Sequence, residues 1–152
     1  MGIDKHEIKM LGEVVRLAMI DVLKTPSFEY YDAIEFPRGL CGIMSRTLGV
    51  ILKEQYPGEN VEYVCGERNG QSHAWIELKQ YIIDVTGEQF DGINESVCVY
   101  FTFESKFHLS FKNQTRRKII NEDCYFYEEQ TVYQRAKYLM CCMERKNENW
   151  KK

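Results

Sequence analysis

The apolar residues of this chain change their spacing near residue 60, and this change limits the folds that the chain can adopt. Before it, apolar side chains recur every three to four residues, which is the period of a helix. After it they alternate, as in strands with one buried face. Helices followed by consecutive strands and a closing helical segment predict an α+β domain with an antiparallel sheet.

The helical pattern predicts two helices before the strands and one after them. The first covers about residues 4–24 and ends before Pro26. The second begins at Leu40 or Cys41 and ends at the Tyr56-Pro57-Gly58 segment. The last covers about residues 128–146, so helices flank the sheet at both ends of the chain.

Alternation predicts five strands, with a turn from Gly66 to Gly70 after the first. The predicted strands are Val61–Cys65, Ser72–Leu78, Tyr81–Thr86, Val97–Phe103 and Phe107–Phe111.

Length and charge limit the partners that we expect. The 152 residues are enough for one domain, 1–152, that folds without disulfides or a metal. The formal net charge of −3, with no basic stripe, argues against nucleic acid as the main partner. The run Arg116-Arg117-Lys118 is expected to be solvated surface. No apolar run approaches the roughly 20 residues of a membrane span, so no membrane association is expected.

The cysteines indicate a reducing compartment. The six cysteines form no C-x-x-C pair, so neither a disulfide framework nor a zinc site is predicted, and no metal or organic cofactor is implied. The charged N-terminal segment has no signal-peptide pattern. We therefore expect a cytoplasmic protein with free thiols, and its small size is also compatible with an effector delivered by another route.

Three residues in order along the chain, Cys41, His73 and Asp84, form a candidate catalytic site. Cys41 opens a helix, where unpaired N–H groups lower a thiol pKa and can hold an oxyanion. An imidazole such as that of His73 can take the thiol proton and return it to a leaving group. A carboxylate such as Asp84 on the far ring nitrogen fixes the tautomer.

Strand register tests whether His73 and Asp84 can meet. A hairpin centred between Lys79 and Gln80 places both side chains on one face as diagonal neighbours. A loop with an odd number of residues would turn Asp84 to the other face. Trp75 shares the face of His73, where it either shields the pair from water or packs as core. His6 and His108 have no matching partner in the sequence and are expected to be solvated.

Segments around these residues resemble the core of the transglutaminase-like cysteine enzyme superfamily. That superfamily shows a G-x-C helix start, an H-A-W-x-E strand and a D-x-T strand. The matching segments, within residues 36–90, are Arg38-Gly39-Leu40-Cys41, His73-Ala74-Trp75-Ile76-Glu77 and Ile83-Asp84-Val85-Thr86. The resemblance implies a papain-like α+β fold with Cys41 as nucleophile, His73 as base and acid, and Asp84 as the residue that orients His73.

The chemistry that follows is acyl transfer from a carboxamide of a protein or peptide substrate, as in peptidases, deamidases and transglutaminases. A noncatalytic binding module on the same fold remains an alternative. So does an acyl-CoA-dependent acyltransferase, although the Arg38–Cys41 segment is one residue shorter than the R-G-x-x-C of arylamine N-acetyltransferases. Hydrolysis or transfer, the substrate and the oligomeric state stay open.

The sequence offers several candidate donors for an oxyanion hole. Glu35 stands where papain-type proteases have a glutamine. The backbone N–H of Cys41 is the first candidate, with the side chains of Gln71 or Gln89 as possible second donors.

Overall fold

The computed structural model describes residues 2–28, 36, 39–90 and 93–150, without the side chains of 147–150. In this part of the chain it is an α+β domain with four helices and a five-stranded antiparallel sheet. The helices are α1 (Lys5–Leu23), α2 (Cys41–Gln55), α3 (Lys106–Leu109) and α4 (Tyr127–Trp150). The strands are β1 (Val61–Arg68), β2 (Gln71–Leu78), β3 (Tyr81–Asp84), β4 (Cys98–Phe101) and β5 (Lys112–Lys118).

The sheet has the strand order β4-β3-β2-β1-β5, and every neighbouring pair is antiparallel. Strands β1 to β4 are joined in sequence order, while β5 returns to pair with the outer edge of β1. β2 therefore lies in the middle of the sheet, and it is buried from His73 to Leu78. This central position carries His73 into the interior.

The two faces of the sheet bury different groups. On one face, α1, α2 and α4 cover a large apolar core that includes Leu48, Ile76 and Ile83. On the other face, a smaller set packs around Trp75, which we call the aromatic cluster. The aromatic cluster consists of Val64, Trp75, Ile82 and Phe111, with Phe90 and Phe107 packed against it.

The long helices are amphipathic. α1 turns Ile8, Val15 and Met19 into the core and leaves charged residues such as Lys9 outside. Among the described residues, no helix combines the length and the apolar character that a bilayer crossing requires.

The β2–β3 hairpin has the register that its sequence predicts. Ile76 pairs with Ile83 and Leu78 with Tyr81, so the loop is the two residues Lys79 and Gln80. Because the loop has two residues, odd-numbered side chains of β2 share a face with even-numbered side chains of β3, and this places the side chain of Asp84 on the face of His73.

Two local predictions are wrong. Residues 107–111 do not form a strand, because Ser105 caps a short helix, α3, by accepting a hydrogen bond from the N–H of His108. The fifth strand is instead β5, which carries the solvent-exposed Arg116-Arg117-Lys118 run. The first turn is shorter than predicted: it is Asn69-Gly70, where both residues have positive φ, as a tight hairpin requires.

Candidate active site

Cys41 is the first residue of α2, and its side chain is partly exposed. The preceding residue, Leu40, is fully buried and provides no side-chain cap for the helix. Leu40 therefore offers no side-chain acceptor to the backbone N–H groups of the first turn. Their partial positive charge lies beside the sulfur, where a thiolate or an oxyanion is stabilised.

The Cys41 thiol contacts the ring of His73 and the backbone N–H of Ala74. Burial of Cys41 alone would raise its pKa, since it disfavours the thiolate. The hydrogen bond and the charge interaction with His73, together with the Ala74 N–H, outweigh burial. The pKa of Cys41 therefore lies below the ordinary thiol value of 9.0.

His73 and Asp84 form a short hydrogen bond in the interior. His73 Nε2 donates to Asp84 Oδ2 over 2.6 Å, and neither side chain is exposed. Burial of His73 lowers its pKa, but hydrogen bonds to Asp84 and Cys41 act more strongly in the opposite direction. Together they raise the pKa of His73 to about 9. At neutral pH the ring is therefore an imidazolium, with a proton on both nitrogens.

Asp84 is ionised although it is fully buried. Burial would raise its pKa, yet hydrogen bonds from His108 and His73 hold the pKa well below its usual range. Its second oxygen, Oδ1, accepts a hydrogen bond of 3.0 Å from the backbone N–H of Thr86. Both carboxylate oxygens thus have donors, which offsets the cost of burying the charge.

His108 also belongs to the site, although its sequence context predicts a solvated side chain. It is 1% exposed, and its Nε2 donates to the same oxygen of Asp84 over 2.6 Å. Ser105 Oγ lies 2.5 Å from the other ring nitrogen, Nδ1. The expectation that His108 is solvated is wrong, because α3 turns its side chain under the sheet. His6, by contrast, is exposed.

The same buried groups have the donor set of a metal site. His73, Asp84 and His108 offer three ligand atoms within 4.8 Å of one another. The hydrogen bonds favour a proton, rather than a metal ion, between His108 and Asp84. Ser105 Oγ accepts from the backbone N–H of His108, so the hydroxyl hydrogen of Ser105 is free to donate to Nδ1 of His108. Nε2 of His108 then carries the proton that faces Asp84, and a metal would have to displace that proton.

Aromatic rings enclose His73. Phe90 meets the imidazole edge-on at 4.9 Å between ring centroids, and Phe111 lies at 5.6 Å. Trp75 lies 5.8 Å from His73 and 4.8 Å from His108, so it contacts both imidazoles. Trp75 thus packs in the aromatic cluster and against both imidazoles.

Gln89 joins the site from the turn after β3. Its side-chain amide nitrogen lies 2.9 Å from His73 Nδ1. Because Nε2 of His73 faces Asp84, Nδ1 is the nitrogen left for Gln89 and for the Cys41 thiol. A protonated Nδ1 donates to the thiolate, and the amide NH₂ of Gln89, itself a donor, can bond Nδ1 only when the ring is neutral. Gln89 and Gln71 also line a cavity of about 570 Å³ beside the site. Either amide can therefore donate to a substrate in the cavity, but Gln89 already contacts the imidazole.

Two other thiols differ sharply from Cys41. Burial raises the pKa of Cys98 to about 11 and that of Cys124 to about 12. Both side chains are buried, and neither contacts an imidazole. Of these three cysteines, only Cys41 has a lowered pKa.

Some predicted features lie outside the described residues. These are Glu35 and Arg38. Comparison of the chain with models of protein families, with curated proteins and with solved structures found no match.

Proposed function

We propose that this protein is a cysteine enzyme that transfers an acyl group from a carboxamide through a thioester on Cys41. The observation that carries the proposal is the continuous contact from Cys41 at the start of α2, through His73, to buried Asp84. We further propose that α2 and the antiparallel sheet form a papain-like core of the transglutaminase-like kind.

The first half of the reaction forms the thioester. The Cys41 thiolate attacks the carbonyl carbon of the carboxamide, and the carbonyl electron pair moves to oxygen. N–H groups at the start of α2 face the negative oxygen. His73 Nδ1 gives its proton to the departing nitrogen, the C–N bond breaks, and ammonia or an amine leaves.

The second half releases the acyl group. Neutral His73 takes a proton from water or from an amine, which attacks the thioester carbonyl. The C–S bond breaks, the thiolate returns, and His73 holds the proton again. Asp84 does not contact the reacting atoms: as a positioning residue it orients the ring and stabilises its charged form.

The test uses blocked peptides that contain one glutamine or one asparagine, with and without a primary amine as second substrate. We expect release of ammonia or peptide cleavage, and a Cys41 thioester detectable by mass spectrometry after acid quenching. A product that contains the amine indicates a transferase, and a product formed from water indicates a hydrolase.

Two variants control this test. Cys41→Ser should abolish the thioester, while Cys141→Ser, which removes an exposed thiol, should leave it unchanged. Turnover that survives in Cys41→Ser would contradict the proposal. If no peptide reacts and acyl-CoA acylates Cys41 instead, the acyltransferase alternative is correct. If neither reagent reacts at Cys41, the fold serves binding alone.

A further inference from the structure

Arg68 is a positioned cation at the cavity beside the candidate active site. It pairs with Gln71 at the tight end of the β1–β2 hairpin. Its guanidinium carbon lies 5.3 Å from the centre of the Phe107 ring, and Phe107 packs against the aromatic cluster. Within the described part of the chain, no carboxylate forms an ion pair with Arg68.

Five other arginines among the described residues are paired. Arg16, Arg46, Arg116, Arg117 and Arg135 each contact a described carboxylate. A guanidinium held against a ring without a carboxylate partner retains its capacity to bind an anion with two parallel hydrogen bonds.

The cavity that Arg68 lines adjoins the reacting groups. Gly39 precedes Cys41 by two residues, Ser72 precedes His73, and Gln89 contacts the His73 ring; all three line the cavity. Its volume of about 570 Å³ lies within the usual range for ligand sites. Asn69 and Gln71 add amide groups, and no described carboxylate lines the cavity.

We propose that this cavity binds a carboxylate of the peptide substrate through Arg68, so that the enzyme prefers carboxamides with an acidic residue close by in the sequence. The proposal rests on the proposed function, because it takes Cys41 as the point of attack. The amides of Asn69, Gln71 and Gln89 bind the backbone of the same peptide. Arg68 is thus a specificity-determining residue.

Binding tests the proposal separately from turnover. In the Cys41→Ala protein, we compare the Kd of two peptides that differ only in glutamate or methionine beside the target glutamine. We expect the glutamate peptide to bind about tenfold more tightly. Adding Arg68→Met, which keeps an apolar stem on Phe107, should remove the difference, and Arg68→Lys should retain part of it. Lys9→Gln, which removes an exposed charge from α1, is the matched control and should change nothing.

Each result has a distinct meaning. Equal Kd values for the two peptides, or a preference that survives Arg68→Met, would overturn the assignment of Arg68 even if the wild-type protein turns over both peptides. Inorganic phosphate that binds as tightly as the glutamate peptide would indicate a free anion site and would also overturn it. If the preference depends on Arg68 but Cys41 never forms a thioester, the cavity is correct and the proposed chemistry is wrong.

Discussion

The two faces of the central sheet carry opposite kinds of interior. Under the long helices, the core is apolar, with Leu52, Ile76 and Ile83 at most 1% exposed. On the other face, the aromatic cluster encloses an ionised carboxylate and two imidazoles that are no more exposed than that core. Apolar burial stabilises a fold outright, whereas a buried charge costs several kcal/mol before its partners compensate.

This difference indicates what each face is for. The helical face supplies the stability that an α+β domain of this size needs. The aromatic face uses part of that stability to hold His73 at a fixed angle and with a raised pKa. Polar groups at such depth are typical of functional sites, where pKa values are adjusted for proton transfer. Mutations on the two faces should therefore separate activity from stability.

The largest effect is expected for Asp84→Asn. Two N–H donors point at Oδ2 of Asp84, and an amide NH₂ in that place would repel both. This repulsion is relieved when His73 moves its proton from Nε2 to Nδ1. A protonated Nδ1 can no longer accept the thiol proton. We expect turnover to fall on the order of a thousandfold or more, and Tm to fall by only a few degrees, measured by steady-state kinetics and thermal unfolding.

His73→Ala provides the reference for this change. If His73 and Asp84 act as one unit, the double variant should lose little more activity than His73→Ala alone. Independent losses that multiply in the double variant would show that Asp84 does not act through His73.

Two apolar substitutions, one in the core under the long helices and one in the aromatic cluster, should affect stability and turnover differently. Leu52 is fully buried and lies on the helix of Cys41, 11 residues further on, which is about 16 Å along the axis. Leu52→Ala should cost about 2–5 kcal/mol of unfolding free energy and leave turnover per folded molecule unchanged. Phe111→Leu should cost less stability, on the order of 1 kcal/mol, and lower turnover several-fold, because Phe111 packs on His73.

Denaturant unfolding and active-site titration measure the two quantities on the same samples. The comparison fails if Leu52→Ala lowers turnover per folded molecule more than Phe111→Leu does.

The sequence predicts the candidate site best where the spacing is local. The β2–β3 register follows from the alternation on either side of Lys79-Gln80, and it places His73 beside Asp84 because the loop has an even number of residues. The start of α2 at Cys41 follows from the change in pattern after Gly39. These features depend on residues close together in the chain, so a single sequence can specify them.

His108 could not be predicted in the same way. The segment Phe107–Phe111 alternates apolar and polar residues as a strand does, yet it folds as a short helix. The sequence feature that indicates this helix is Ser105, a capping residue three positions before His108. The alternation pattern does not reveal strand β5, because its side chains are polar on both sides and give no apolar period.

The smallest effect is expected for His108, which contacts Asp84 but not the thiol. His108→Leu removes one of the two imidazole donors to Asp84, so the carboxylate stabilises the charged His73 more strongly. The basic limb of kcat/KM, which reflects loss of the His73 proton near pH 9, should move upward, with turnover down about twofold.

His108→Gln keeps an N–H donor on a similar stem and should restore most of both values. An unchanged pH profile in His108→Leu, or a profile that His108→Gln fails to restore, would assign His108 to packing alone.

The central claim is that Cys41 and His73 form a thiolate–imidazolium pair at neutral pH. It is tested most directly by limiting iodoacetamide alkylation from pH 4 to pH 10, with each cysteine quantified by mass spectrometry. Cys41 should react well below pH 8 and before the exposed Cys141, while Cys98 and Cys124 stay unmodified. In His73→Ala the early reaction of Cys41 should disappear. A Cys41 that reacts no earlier than Cys141, or one whose early reaction survives His73→Ala, would contradict the claim.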